Sequence, residues 1–154
     1  MEKNFNVVPA TEDDAKAIWK IRYHPSVNQT ALNQAPVDFS THAAWFKKQY
    51  AVGSDNKCFV LRARVEGQTV GYCRFDLDHE GNFLVSIALH PDYHGQGAGS
   101  SLLHSSIAML AAKRPLIAII KKDNAASKAL FERQGFVMTG EDQENYRLSK
   151  LSAR

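Results

Sequence analysis

Apolar and polar positions along the chain change period several times. Residues 4–8 read as a short strand. Ala15, Ile18, Trp19 and Arg22 then recur at helical intervals, and Thr11 with Asp14 stands at capping-box spacing ahead of them, so the pattern predicts a helix over 11–23. Pro25 and Pro36 bracket an irregular stretch, and Ser40 is placed to cap a second helix over 41–51 that Gly53, Asp55 and Asn56 terminate. From 58 to 77 the period becomes two. Phe59, Leu61, Ala63 and Val65 share one face, Arg62 and Arg64 take the other, and Glu66-Gly67-Gln68 turns the chain back into a hairpin partner over 69–77. A turn over 78–82 leads into a third strand, 83–89.

After Pro91 the pattern alternates strand and helix. Residues 97–112 carry a helical apolar face of Leu102, Leu103, Ile107 and Leu110, stopped by Pro115. The unbroken apolar run 116–120 predicts a central strand buried on both faces. Residues 124–134 form a helix closed by Gly135, and 136–138 and 146–151 complete the sheet. Antiparallel hairpins passing into a strand-helix-strand crossover predict an α+β fold, with a mixed sheet of about six or seven strands and about four helices in one domain over 1–154.

Composition narrows the class. At 44% hydrophobic and 23% charged, with 9 Gly and 5 Pro, the 154 residues are not collagen-like, low-complexity or disordered. Cys58 and Cys73 form no CxxC pair and fall in adjacent predicted strands, which suits buried thiols in a reducing cytoplasm. No apolar run approaches a membrane span, so a cytoplasmic protein without membrane association is expected. The net charge of +3 is too small for a duplex-binding surface and no nucleic acid is expected. That charge is unevenly placed: residues 1–90 are net neutral and 91–154 hold all of it, with Lys113, Arg114, Lys121, Lys122, Lys128 and Arg133 able to face an anionic ligand.

The strongest chemical signal is His94-Gly95-Gln96-Gly97-Ala98-Gly99-Ser100, between a predicted strand and a predicted helix. Closely spaced glycines let several backbone N–H groups point at one locus, and the helix N-terminus adds partial positive charge, a combination suited to a diphosphate. The plain alternative is a tight turn with glycines chosen for packing. A Walker loop is excluded because no Lys lies between Lys57 and Lys113. A dinucleotide-binding unit would put its glycines after the first strand of a parallel unit, whereas here three antiparallel strands come first.

The stretch from Leu89 through His94-Gly95-Gln96-Gly97-Ala98-Gly99 to Leu103 resembles the acetyl-CoA motif of the GNAT N-acetyltransferases, Arg/Gln-x-x-Gly-x-Gly/Ala. Asn124, Ser127, Leu130, Phe131 and Gly135-Phe136 resemble the family's Asn-x-x-Ala/Ser-x-x-Leu-Tyr-x-x-x-Gly-Phe helix at the family's spacing. The resemblance covers about residues 5–151. It implies the acyl-CoA N-acyltransferase fold, acetyl-CoA as cosubstrate, and a fourth strand that splays from the fifth at a bulge. Ile87, Ala88 and Leu89 would then pair with the pantetheine, and the amides of Gly95, Gln96, Gly97, Ala98, Gly99 and Ser100 would hold the pyrophosphate. Asn124 would bond the pantetheine or thioester, with Ser127 beside it, and Phe131 would border the sulfur. His94 departs from the usual Arg or Gln.

The reaction so implied is direct attack of a neutral amine on the acetyl thioester. The family's acid is the Tyr of the Leu-Tyr pair, which here is Phe131, so Tyr72, Tyr93 or Tyr146 must substitute or CoA leaves as a thiolate; Tyr146 is the favoured candidate. Asp76, Asp78 and Glu80 are candidate bases, Glu80 standing nearest the family's catalytic Glu, although a solvated hairpin turn accounts for all three. No His, Cys or acidic cluster has metal-ligand spacing, and no metal is expected. Arg22, His42, Trp45 and Phe46 resemble the acceptor region of GNAT enzymes acting on nucleotide-linked amino sugars, which implies a small primary amine as acceptor, with a (nucleotide-linked) amino sugar the candidate. Competing readings are a ribosomal-protein or peptide N-terminal acetyltransferase and a catalytically weak CoA-binding regulatory module. Strand 146–151 could pair two copies into a homodimer.

Overall fold

The computed structural model describes residues 4–111 and 113–151. The chain runs β1 (Phe5–Pro9), α1 (Ala15–Arg22), α2 (Pro25–Asn28), α3 (Phe39–Gln49), β2 (Lys57–Ala63), β3 (Thr69–Leu77), β4 (Phe83–Leu89), α4 (Ala98–Leu110), β5 (Leu116–Lys121), α5 (Ala125–Arg133), β6 (Val137–Glu141) and β7 (Asn145–Lys150), with 3-10 turns at Glu12–Asp14 and Pro91–Tyr93. The strands form one sheet in the order β1-β2-β3-β4-β5-β7-β6. β4 and β5 run parallel and the other neighbours antiparallel, the mixed sheet that the alternation of elements predicts.

Two cores lie on opposite faces of this sheet. Against α4 and α5, Phe59, Leu61, Cys73 and Phe75 pack with Leu102, Leu103, Phe131 and Leu148. Against α1 and α3, Cys58, Val60 and Tyr72 pack with Ile18, Ile21 and Phe46. β2 and β3 are therefore apolar on both faces, and Cys58 and Cys73 are buried free thiols on opposite sides of the sheet. Burial pushes the Cys58 thiol up to about 12.

Local chemistry explains where the elements depart from their predicted bounds. The register passes from Leu61↔Gly71 to Arg62↔Thr69, so Val70 is an extra residue, a bulge that turns Val70 into the α4-side core and Thr69 toward α1. Asp14, only 2% exposed, accepts from Thr11 N (2.8 Å), Thr69 Oγ1 (2.6 Å) and Arg62 Nη2 (3.0 Å), tying the start of α1 to the sheet. Beyond Ala63 the strand ends, and Val65, expected inward, is solvent-exposed. Asp38, not Ser40, caps α3, accepting from Thr41 N at 2.8 Å, and the helix starts two residues early. The stretch read as irregular holds the short helix α2, with Pro25 at its start and His24 Nδ1 accepting from Ser26 N. α4 ends at Leu110 and not at Pro115; residue 112, its expected end, lies outside the described residues. β7 is flanked by β5 and β6, so strand 146–151 has no free edge for pairing two copies; among the described strands the outer positions belong to β1 and β6.

The parallel join is short. β4 meets β5 only at Phe83↔Leu116 and Leu84↔Ile117, while its ladder to β3 continues unshifted to Gly71↔Leu89. The two strands thus diverge along residues 85–89 without the expected bulge in β4, and their unpaired edges face each other across a gap.

Candidate active site

Three cavities meet at this gap. One of about 400 Å³ lies toward α4 and α5, lined by Ile87, Ala88 and Leu89 of β4, by His94, Gly95, Gly97, Gly99 and Ser100, and by Asn124, Ser127, Leu130 and Arg133. A second, of about 290 Å³, occupies the gap and shares Ile87, Ala88, Asn124 and Ser127 with the first while adding Phe131, Tyr72, Arg74 and Arg22. A third, of about 320 Å³, lies toward α1 and α3 and shares Arg22, Tyr72 and Arg74 with the second, adding Tyr23, Thr41, His42 and Trp45. The result is a continuous groove from one face of the sheet to the other.

At the first end the site is made of backbone. Gly95 and Gly97 have φ of +79° and +75°, the left-handed region that a side chain disfavours. Gly97 is the N-cap residue of α4, whose first intrahelical bond runs from Ser101 N to Gly97 O, leaving the N–H groups of Ala98, Gly99 and Ser100 ahead of it. His94 Nε2 donates to the Leu89 carbonyl at 3.0 Å, which ties the glycine turn to the end of β4. Asn124 caps α5 by accepting from Ser127 N at 3.2 Å. The side chains of Gln96 and Ala98 turn away from the groove, Gln96 exposed with Nε2 donating to Asp92 O and Ala98 buried in the core, so these two residues can offer it only their backbone amides. Of the six basic side chains expected near phosphates, Arg133 lines this end and Lys121 the gap. Lys122 pairs with Glu141 and Lys128 with Glu132, while Arg114 donates to Gly81 O.

At the other end the site is made of side chains. Arg22 Nη1 donates to Asn28 Oδ1 and Nη2 to Asn33 O, both at 2.7 Å, so the end of α2 and the segment after it hold it in place. Arg74 Nη2 donates to Ser86 Oγ at 3.3 Å, its guanidinium sits 5.1 Å from the Trp45 ring centroid, and its Nε is buried without a partner. Asp76 Oδ2 lies 3.8 Å from Arg74 Nη1, and Asp76 Oδ1 accepts from Tyr50 Oη (2.6 Å) and Gln49 Nε2 (3.1 Å). Burial works against the Arg74 charge, but the Asp76 carboxylate beside it offsets this, so the group stays protonated. His42 is 5% exposed with Nε2 unpartnered; burial, with the Arg74 and Arg22 charges, pushes its pKa below the usual 6.5.

The structure brings Arg22, His42 and Trp45 together but not Phe46, which points into the core beside Ile18 and Val60. Glu80 is not brought to the groove. It lies in the exposed β3–β4 turn, at the opposite end of β4 from Leu89, where its N–H donates to Asp78 Oδ1. Asp78 is held low by the Asn82 and Glu80 amides, and Asp76 is committed to Tyr50, Gln49 and Arg74. Tyr146 is also outside the groove, its ring on β7 lying between the Lys122 and Lys128 ammonium groups at 5.4 and 5.5 Å. Sequence reading missed Arg74, although a charged residue inside a central strand, alternating with Cys73 and Phe75, marks the polar stripe Tyr72-Arg74-Asp76. Among the described residues no group of three His, Cys, Asp or Glu could hold a metal ion, and no helix is long and apolar enough to cross a membrane.

Comparison with known proteins bears on this groove. Residues 24–136 match the model of the acetyltransferase (GNAT) family. The chain is 31% identical over 140 residues to an L-amino acid N-acyltransferase of Escherichia coli K12, covering 86% of this chain and 79% of that one. It is 28% identical over 146 residues to an L-methionine sulfoximine/L-methionine sulfone acetyltransferase of Salmonella typhimurium, covering 86% and 80%. The structure of a phosphinothricin acetyltransferase from Sinorhizobium meliloti, in complex with acetyl-CoA, superposes with a TM-score of 0.84 at 19% identity, covering 97% of this chain and 89% of that one.

Proposed function

The chain belongs to the GNAT family of acetyltransferases, and from that premise we propose that it moves the acetyl group of acetyl-CoA to the amino group of a small acceptor carrying an anionic group, of the amino-acid type. The observation that carries the acceptor class is the pair of guanidiniums, Arg22 and Arg74, at the inner end of a cavity sized for a metabolite. Two planar, permanently charged guanidiniums bordering one cavity suit a carboxylate. The relatives named for amino-acid substrates support the same class.

In this reading the cofactor's pyrophosphate lies on the glycine turn and the first amides of α4, with Arg133 beside it. The pantetheine runs along Ile87, Ala88 and Leu89, supplying the hydrogen-bonding partner that β5 withdraws. The thioester reaches the gap between Asn124, Ser127, Phe131 and Tyr72. The acceptor approaches from the opposite face, its anionic group on Arg74 and Arg22 and its body against Trp45. Reaction joins the amine nitrogen to the acetyl carbon and breaks the carbon–sulfur bond, giving the N-acetylated product and CoA. A larger acceptor, a nucleotide-linked amino sugar, is the second reading. It is favoured by an adjoining cavity of about 590 Å³ that shares Ala31, Leu32 and Lys121 with the gap and is otherwise polar.

Thiol release from acetyl-CoA tests this against matched amines: α-amino acids, the same amines lacking the carboxylate, amino sugars and their nucleotide conjugates, and peptides with free N-termini. Amino acids are expected to release CoA at least a hundredfold faster than their decarboxylated partners. Equal rates with and without the anionic group overturn the acceptor class, and CoA binding without release to any amine overturns the enzyme reading in favour of a binding module.

A further inference from the structure

The collapse of the intermediate leaves a negative charge on sulfur, and the groove must either supply a proton or release a thiolate. Few groups in the gap can donate. Phe131 borders it with a ring that has no hydroxyl. Asn124 is engaged as the α5 cap, Thr30 Oγ1 donates to Val27 O, and Lys121 Nζ donates to Gln29 O. Ser86 Oγ accepts from Arg74, and a serine hydroxyl is a far weaker acid than a thiol.

Tyr72 differs from all of these. The β3–β4 register sets it directly opposite Ala88, and it is one of three residues, with Arg22 and Arg74, that border both the gap and the acceptor cavity. The residue is only 3% exposed, packed among Ile18, Val60 and Phe46, so its ring has little freedom. Among the described residues its hydroxyl has no hydrogen-bond partner. It is thus a fixed phenol at the junction where donor and acceptor must meet.

We infer that Tyr72 gives its hydroxyl proton to the departing sulfur of CoA, doing from β3 what Phe131 on α5 cannot. This rests on the acetyl-transfer reading above. As the carbon–sulfur bond breaks, its electron pair goes to sulfur and the Tyr72 proton follows. The phenolate so formed takes the proton that the attacking nitrogen loses, so the net transfer is from amine to CoA and no further reactant is needed. Four titratable or charged groups act on the phenol electrostatically: Arg74, Arg22, Cys58 and Tyr23. Burial raises its pKa above the ordinary 10 and the two guanidiniums act the other way, which favours a donor that holds its proton until the sulfur demands it and shields the transient phenolate.

The test compares wild type, Tyr72→Phe and the double variant Tyr72→Phe with Phe131→Tyr, with acetyl-CoA and the best acceptor from the amine panel. Tyr72→Phe is expected to lower kcat at least tenfold with the KM for acetyl-CoA within threefold and an unchanged thermal melt. The double variant, which returns a phenol to the gap from the α5 side, is expected to recover at least threefold over Tyr72→Phe. Retained kcat in Tyr72→Phe, a loss confined to acceptor KM, or a double variant no faster than the single one overturns the assignment. Wild-type protein that acetylates no amine overturns the acetyl-transfer reading instead, whatever the variants do.

Discussion

The two ends of the groove are built from different material. The end at α4 is mostly main chain: two left-handed glycines and the leading amides of a helix, all within residues 95–100. The end at α1 and α3 is side chain: Arg22, His42, Trp45, Tyr72 and Arg74, drawn from three elements and held by a further layer of Asn28, Asn33, Ser86, Asp76 and Tyr50. The first can change side chains and keep its shape. The second has its chemistry in its side chains, so its specificity is open to single substitutions.

This contrast makes predictions of graded size. The largest effect belongs to Arg74→Gln, expected to cut kcat/KM for an anionic acceptor about a hundredfold through loss of a charge-assisted pair, while the acetyl-CoA Kd measured calorimetrically stays within threefold. A parallel loss of cofactor affinity would break the separation of the two ends. Next, Gly97→Val at φ +75° carries a backbone cost of about 1–2 kcal/mol, which calorimetry is expected to read as about tenfold weaker acetyl-CoA binding. Gln96→Ala, one residue away, is expected to change it less than twofold.

A smaller effect tests the layer behind the acceptor end. Asp76→Asn removes the carboxylate that faces Arg74 and accepts from Tyr50, and is expected to raise acceptor KM about three- to tenfold with kcat nearly unchanged. The smallest effect concerns His42. Its folded-state pKa lies below the unfolded 6.5, so the unfolded chain binds more protons between those values. The resulting contribution to stability is full above about pH 6.5 and is lost as pH falls toward the folded value, at no more than about 1.4 kcal/mol per pH unit. Urea denaturation at pH 7 and pH 5 is expected to show a smaller stability difference for His42→Phe than for wild type.

The same contrast explains what the sequence could reveal. His94 to Ser100 and Asn124 to Phe131 are contiguous segments whose geometry comes from their own backbone, so glycine spacing singled out the first, the family resemblance pointed to the second, and both border the gap. The sheet and most helices were legible for a similar reason, since each answers to its own periodicity. The acceptor end is assembled by topology. Arg74 enters it because β3 is buried on both faces and its alternate side chains face α3, a fact set by what packs against the strand. Phe46 adjoins Trp45 in sequence yet faces the core, because one helical step of about 100° separates a cavity wall from a packing face. Glu80, picked out by its residue type, lies in the turn at the far end of β4 from the gap. α2 escaped notice because four residues carry too little periodicity, although Val27 and Thr30 border the gap.

The lapse between β4 and β5 has one more consequence. Only two residue pairs bridge β1–β4 to β5–β7 within the sheet, at Phe83 and Leu84, and beyond them the two halves are joined through the core under α4 and α5. On the proposed reading the cofactor fills that seam and braces both sides of it, and binding at a hundred times its Kd would add about 2.7 kcal/mol to folding. The heat tolerance of this protein would then track how much CoA or acetyl-CoA surrounds it.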